Sequence, residues 1–219
     1  MVKASFATTD SNTASDNTAT AEAVSNKLYD SLNLDDLGLS KEAMLYAYRG
    51  FEHLVDNGTL NKDDILTICD FSQSSRKKRM YVIDVKHYKV LLNTYVAHGR
   101  NSGVDMATQF SNKPESLESS LGFYVTKSPY TGKHGLSLKI DGLEKGWNDN
   151  AEERAVVVHG AEYIGDQRVN AGYMGRSFGC PAVPQKEVSK LINMIKEGTC
   201  LFIYHPTERY LHDSKILNG

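Results

Sequence analysis

The residues best placed to do chemistry lie in two stretches, His159-Gly160 and Gly175-Arg176-Ser177-Phe178-Gly179-Cys180-Pro181. Glycine permits positive φ and close approach, and proline fixes the φ that follows, so the backbone around Cys180 should turn tightly and present its thiol. A thiol needs a base or a cation nearby to become a thiolate at neutral pH. The run Arg154 to His159 reads as a buried strand that ends on a histidine, and this imidazole supplies the base if the fold brings the two together. The N–H groups of Gly179 and Cys180 would then face a developing oxyanion. The bland alternative is a buried structural Cys180 with His159 merely ending a strand, since free cysteine is most often a small buried hydrophobe.

Other chemistries have weaker support. A zinc site from His134, His159 and Cys180 has no H-E-x-x-H or close ligand pair behind it, so no metal is expected. No P-loop or G-x-G-x-x-G pattern occurs, which argues against a nucleotide and leaves no cofactor implied. The basic run Arg76-Lys77-Lys78-Arg79 has no aromatic interleaving and reads as a solvated loop. With 25 basic against 27 acidic residues and a net charge of -2, nothing points to nucleic acid or an anionic membrane surface as partner. No apolar run approaches the roughly 20 residues needed to span a bilayer.

As for the elements that must carry these residues, 219 residues suit one substantial domain with an appendage. Residues 1–20 are nearly all Ser, Thr, Asn, Asp and Ala and read as a disordered polar linker with no signal-peptide apolar stretch. Residues 21–70 read as a helical N-terminal region packed on the β-rich remainder of the chain. Within it Met44, Ala47, Phe51, Leu54 and Val55 recur at helical spacing between a Ser40 cap and a Gly58 stop, and a weaker helix covers Glu22 to Leu32. Residues 71–219 carry short β-rich runs: Met80–Val85, Lys89–Val96, Gly122–Thr126, Leu136–Ile140, Arg154–His159 and Cys200–His205. A helix over 186–197 stops at Gly198. The predicted class is mainly β with packed helices, a sandwich or barrel. The three cysteines are too few for a disulfide framework, although a Cys69 to Cys200 bridge is left open.

The spacing carries one further reading. Seventeen residues separate His159 from Ser177, and His159-Gly160-Ala161 with Gly175 through Val183 resembles the catalytic motif of murein L,D-transpeptidases, in the branch with His-Gly-Ala and Gly-Arg-Ser-x-Gly-Cys-Pro-Ala-Val. Asp70-Phe71-Ser72, Val96 through Gly103, Ser120 through Tyr124, Gly132 through Gly135 and Gly142-Leu143-Glu144 resemble the same branch, so the likeness covers roughly residues 40 to 205. It implies a β-sandwich or barrel-like catalytic domain in which Cys180 is the nucleophile, His159 its general base, and the Gly160 carbonyl the group that orients the imidazole. Phe178 stands where most members have a second histidine, and Ala182 where a polar or basic residue is frequent. Arg176 and Ser177 then fall to substrate binding, with His134 and Tyr124 as candidate pocket residues. Trp147, in a polar loop, is a packing residue or a cleft wall.

The substrate so implied is a peptidoglycan tetrapeptide stem. The terminal D-Ala leaves, and a thioester passes to an amine as a 3-3 cross-link or to water as carboxypeptidase action. Family members are also carbapenem targets. The implied compartment is the bacterial periplasm or cell envelope, with no signal sequence in this chain and peripheral envelope association left open. The rival readings are another cysteine hydrolase of the wall and a non-catalytic wall-binding protein. Oligomeric state is not legible from sequence.

Overall fold

Ser40 and Gly58 set the ends of the best-defined helix. The Ser40 hydroxyl accepts from the Ala43 N–H at 3.1 Å, and the chain leaves the helix through Gly58 at φ +71°. Between them α2 (Lys41–Asp56) buries Ala43, Met44, Ala47, Gly50, Phe51 and Leu54 along one face. Gly50 is required there, because a Cβ would sit 2.0 Å from the Phe123 ring. The computed structural model describes residues 11–218, with side chains from residue 19 onward.

Eight strands form one sheet: β1 (Ile65–Asp70), β2 (Met80–Asp84), β3 (Lys89–Thr94), β4 (Gly122–Gly132), β5 (Gly135–Gly142), β6 (Val157–Ala161), β7 (Ala182–Pro184) and β8 (Cys200–Tyr204). Their order is β3-β2-β1-β8-β4-β5-β6-β7. The pairs β1–β8 and β6–β7 are parallel and the others antiparallel. The chain leaving β3 then curls back to the far edge. The Ala97 N–H donates to the Ala182 carbonyl at 2.8 Å, and Gly99 bridges to Ser177, so the sheet is a nearly closed barrel. The β-rich class with packed helices is what the sequence predicts.

Helices cover the sheet. α1 (Ser11–Ser31) packs on α2, α2 on β1 and β8, and α3 (Val188–Ile195) on β5, β1 and β6 through Val188, Leu191, Ile192 and Ile195. Two short C-terminal helices, α4 (Glu208–Asp213) and α5 (Lys215–Asn218), follow β8. Glu144 is buried among them. Its carboxylate accepts from the Phe123 N–H at 2.8 Å and the Tyr210 hydroxyl at 2.8 Å, and also from the Ser214 hydroxyl, tying the tail to the β4–β5 region.

Several boundaries differ from the sequence reading. Residues 65–70, assigned to the helical region, form the central strand β1, with all six residues buried. Helices pack on it as well as neighbouring strands, so the inside–outside alternation that marks a half-exposed strand is missing. Residues 1–10 of the expected linker lie outside the described residues. Residues 11–20 continue α1, since the packed turns at Ala21 and Leu28 supply the costly nucleus from which the helix propagates. β6 begins at Val157 rather than Arg154, because Ala155 turns the chain at φ +51°. Cys69 and Cys200 are free and buried. Cys200 pairs with Leu66, so the two sulfurs are offset by three residues on adjacent strands, roughly 10 Å, too far for a bridge.

Candidate active site

Cys180 lies on the seam where the curled sheet closes, and two strands of backbone hold its loop from opposite sides. On one side the Ser177 N–H donates to the His98 carbonyl at 2.9 Å and the Arg100 N–H to the Ser177 carbonyl at 2.8 Å. On the other, β6 and β7 run parallel with His159 opposite Ala182. Inside the loop the buried Ser177 hydroxyl donates to the Cys180 carbonyl at 2.6 Å and accepts from the Gly179 N–H at 3.1 Å. Gly179 adopts φ +123°, and a Cβ there would lie 2.8 Å from the Glu118 carbonyl, so only glycine fits without strain. The Ser119 hydroxyl donates to the Gly179 carbonyl at 3.1 Å and accepts from the Gly99 N–H at 3.0 Å, which locks a third segment to the loop.

The sulfur rests against the approach to β6. It accepts from the Val157 N–H at 3.5 Å and donates toward the Ala155 carbonyl at 3.8 Å. Burial pushes the Cys180 thiol above its ordinary range, partly offset by the Val157 N–H and by the positive charge of Arg154. The resting sulfur is therefore a thiol that needs a base. Arg154 is clamped in place, its guanidinium donating to the carbonyls of Ser111 at 2.7 Å and Glu118 at 2.6 Å, to the Ser116 hydroxyl at 3.2 Å and to the Ser120 hydroxyl.

His159 is 4 % exposed. Its Nδ1 lies 2.9 Å from the Gly160 carbonyl, and because a carbonyl only accepts, Nδ1 carries the proton and Nε2 keeps its lone pair. Burial holds the imidazole below the ordinary histidine value, aided by the like charge of His134 and opposed by the Gly160 carbonyl. His134 is exposed and stacks on His159 with ring centroids 4.5 Å apart. The cysteine loop adjoins the imidazole's strand, the His159 N–H donating to the Pro181 carbonyl at 3.3 Å, and Tyr163 lies near the thiol, its phenol pushed up by burial and by the Cys180 charge.

Three expected site residues sit elsewhere or are already engaged. Tyr124 is fully buried with its hydroxyl donating to the Ser120 carbonyl at 3.0 Å, because strand β4 turns this side chain into the core rather than a pocket. Ser177 is buried and braces the loop from inside. The Gly179 N–H is already bonded to Ser177, while the Cys180 N–H lies beside its own sulfur. Arg176 is half-buried and does border a groove, with Nη1 donating to the carbonyls of Arg100 at 3.0 Å and Gly103 at 3.3 Å. Phe178 is 68 % exposed.

The sequence reading missed Arg154, hidden as the first residue of an over-long strand, and misread Arg79. Far from being solvated, Arg79 is fully buried. It donates to the Val96 carbonyl at 3.0 Å, the Gln73 carbonyl at 2.8 Å and His98 Nδ1 at 2.7 Å, with its guanidinium over the Phe71 ring. It thereby supports from behind the 97–100 segment that holds the cysteine loop. Trp147 lies away from the site, edge-on to Tyr210 with centroids 5.2 Å apart.

Two grooves flank the thiol. One, of about 510 Å³, includes Ala155 and Val157, the sulfur's own neighbours, together with Lys127, Tyr130, Lys139 and Glu152. The other, of about 470 Å³, lies beyond Phe178 and Tyr163 and includes Arg176. Among the described residues no cluster of three His, Cys, Asp or Glu side chains is arranged to hold a metal ion, and no helix is long and apolar enough to cross a membrane.

The sequence profile of the L,D-transpeptidase catalytic domain matches residues 35–204. No curated protein sequence matches the chain. Among solved structures, an L,D-transpeptidase from Mycobacterium smegmatis is similar at 14% identity and a TM-score of 0.39, over 65% of this chain and 59% of that one. An L,D-transpeptidase from Stackebrandtia nassauensis is similar at 11% identity and a TM-score of 0.38, over 74% of this chain and 66% of that one. A cysteine-to-serine mutant of the Enterococcus faecium L,D-transpeptidase is similar at 15% identity and a TM-score of 0.37, over 64% of this chain and 50% of that one. The chain thus spans less than two thirds of the length of these relatives.

Proposed function

The chain belongs to the family of L,D-transpeptidase catalytic domains, and from that premise we propose that it is a cysteine acyltransferase acting on peptidoglycan tetrapeptide stems. The observation that supports this most is the placement of a protonated thiol in the loop that enters β7 and of a neutral imidazole with Nε2 free on the adjacent strand β6. The thiol rotates from Ala155 toward His159, and Nε2 accepts its proton as the sulfur attacks the carbonyl at the L-centre of the third stem residue. The Cys180 N–H stabilises the oxyanion while the Gly160 carbonyl holds the imidazolium in register. Collapse breaks the peptide bond, the departing D-Ala amine takes the proton from His159, and a thioester remains. An acceptor amine then attacks the thioester, His159 takes its proton, and the thiol is released as a 3-3 cross-link forms. Water in place of the amine gives carboxypeptidase action.

Two grooves on either side of the cysteine loop, one lined by the sulfur's neighbours Ala155 and Val157 and the other by Phe178 and Tyr163, suit a donor and an acceptor that must both reach the thiol. Arg176 contributes to substrate binding from one of them, and His134, stacked on the base, borders the bound stem. No cofactor enters this scheme. The substrate implies work outside the cytoplasmic membrane, in the periplasm or cell envelope.

Intact-protein mass spectrometry after incubation with a carbapenem tests the reading. One adduct is expected on the parent chain, none on Cys180→Ala, and slow formation on His159→Ala. Digestion of purified muropeptides should release D-Ala from tetrapeptides and leave glycan bonds whole. A parent chain with an accessible reduced thiol that forms no adduct and releases no D-Ala would sink the proposal.

A further inference from the structure

Three arginines converge on the groove beyond Phe178 without any carboxylate to neutralise them. Arg100 lies over the Phe178 ring at 5.8 Å, while Arg176 and Arg168 face the Tyr173 ring at 4.8 and 5.4 Å. Tyr163 completes the wall. The only arginines in ion pairs among the described residues are Arg76 and Arg209, so Arg100, Arg168 and Arg176 are all uncompensated. The Nε of Arg168 is buried without a hydrogen-bond partner. Stacking on a ring fixes the plane of a guanidinium, and although Arg176 gives Nη1 to the Arg100 and Gly103 carbonyls and Arg168 gives Nη2 to the Tyr173 carbonyl at 3.4 Å, their remaining N–H groups and those of Arg100 can meet an anion. Three like charges in one groove also repel one another, a cost that an anionic occupant relieves.

The groove on the other side of the thiol has a different character. Its Lys127 pairs with Asp141 at 3.3 Å, and Lys139 is balanced by Glu152 among the lining residues, so it carries little net charge. The two approaches to Cys180 therefore differ in what they attract, and the arginine groove attracts an occupant with more than one negative charge.

We infer that Arg100, Arg168 and Arg176 form a polycarboxylate subsite that holds the free carboxylates of one stem peptide and rejects stems in which those groups are amidated. A carboxylate offers acceptors to the guanidinium forks, whereas a carboxamide turns an NH2 donor against them. That the occupant is a stem peptide rests on the transpeptidase reading; that it is a polycarboxylate rests on the arginines alone.

The test is calorimetric titration of the full chain carrying Cys180→Ala, so that binding is read without turnover. The probes are a tetrapeptide stem with all carboxylates free, the same peptide with its internal carboxylates amidated, and inorganic phosphate as competitor. The free form is expected to bind about tenfold more tightly or better, the size of one to two charge-assisted contacts. Arg100→Gln with Arg168→Gln should erase the preference, and Arg100→Lys should keep part of it. Equal binding of the two peptides, no binding of the free form at millimolar concentration, or a double variant that keeps the preference would each overturn the subsite. Displacement of the free peptide by phosphate at equal concentration would reassign the groove to simple oxyanions and overturn it as well. The two readings fail separately. A carbapenem adduct on the parent chain with no peptide preference defeats the subsite alone, and a preference without adduct or D-Ala release defeats the transpeptidase alone.

Discussion

Replacing Ser177 by alanine removes a single hydroxyl from which two backbone groups of the nucleophile's loop hang. Its oxygen accepts the Gly179 N–H at 3.1 Å and its proton goes to the Cys180 carbonyl at 2.6 Å, in a site that is 4 % exposed. Ser177→Ala leaves that N–H buried and unpaired, a loss of about 1–3 kcal/mol, and water has little room to replace the hydroxyl. Taking about 2 kcal/mol, a chain of this size should melt about 4–8 °C lower. The same cost bears on the loop that presents the thiol, so carbapenem acylation should slow by up to about 30-fold. Differential scanning calorimetry and time-resolved intact mass spectrometry read the two effects, and Ser177→Thr, which keeps the hydroxyl, should recover most of both. If Ser177→Ala melts within about 1 °C of the parent and is acylated at the parent rate, the loop is held by something other than this hydroxyl.

Three further outcomes follow from the burial of ionisable groups. The acylation rate requires neutral His159, whose pKa is held below the ordinary histidine value, so the acid limb of its pH profile should lie below about 6.5. His134→Ala removes a like charge and should move that limb upward, and an unchanged or lower limb would contradict the stacked pair. His98 is held neutral to about pH 4 by burial and by Arg79. The unfolded chain takes up this proton near pH 6.5, so the stability His98 contributes is full above that value and falls as pH drops toward 4, by about 1.4 kcal/mol per unit. Urea midpoints at pH 7 and 4.5 should therefore diverge more for the parent than for His98→Asn, and equal losses would refute the argument. Finally, burial pushes the Cys69 thiol up to about 12 and the Cys200 thiol higher still, so iodoacetamide should label only Cys180 in the native protein and all three cysteines after unfolding.

How much of this was legible depended on whether the signal was local. The i, i+3, i+4 spacing in α2 and α3 and the strand runs of β2, β3, β5 and β8 are properties of short windows, and they could be read directly. β1 was not, since packing on both faces erases the alternation that distinguishes a strand. β7 has three residues and exists only because β6 lies beside it. At the site, the Cys-His spacing and its glycines could be read, yet the sequence says nothing of direction. Tyr124 points inward, the Ser177 hydroxyl turns back on its own loop, and Arg79 is buried among carbonyl groups. The arginine groove was invisible because Arg100 reaches it across about 70 residues of chain, by a pairing that only the closed sheet creates.

The position of β8 bears on the order of assembly. This strand lies between β1 and β4 and is the one full strand that joins β3-β2-β1 to β4-β5-β6-β7, opposite the short bridges of the seam. Every other strand precedes it in the chain, and until residues 200–204 are available the two ribbons share only the short bridges at Ala97–Ala182 and Gly99–Ser177. Contacts made across long stretches of chain form late. A chain held open short of β8 would have its cysteine and histidine already synthesised and β6 able to pair with β7, but nothing to dock their ribbon on β1. We expect the ribbon that carries the cysteine loop to gain its full support only in the step that completes the fold, so the last-made strand sets when the site becomes rigid.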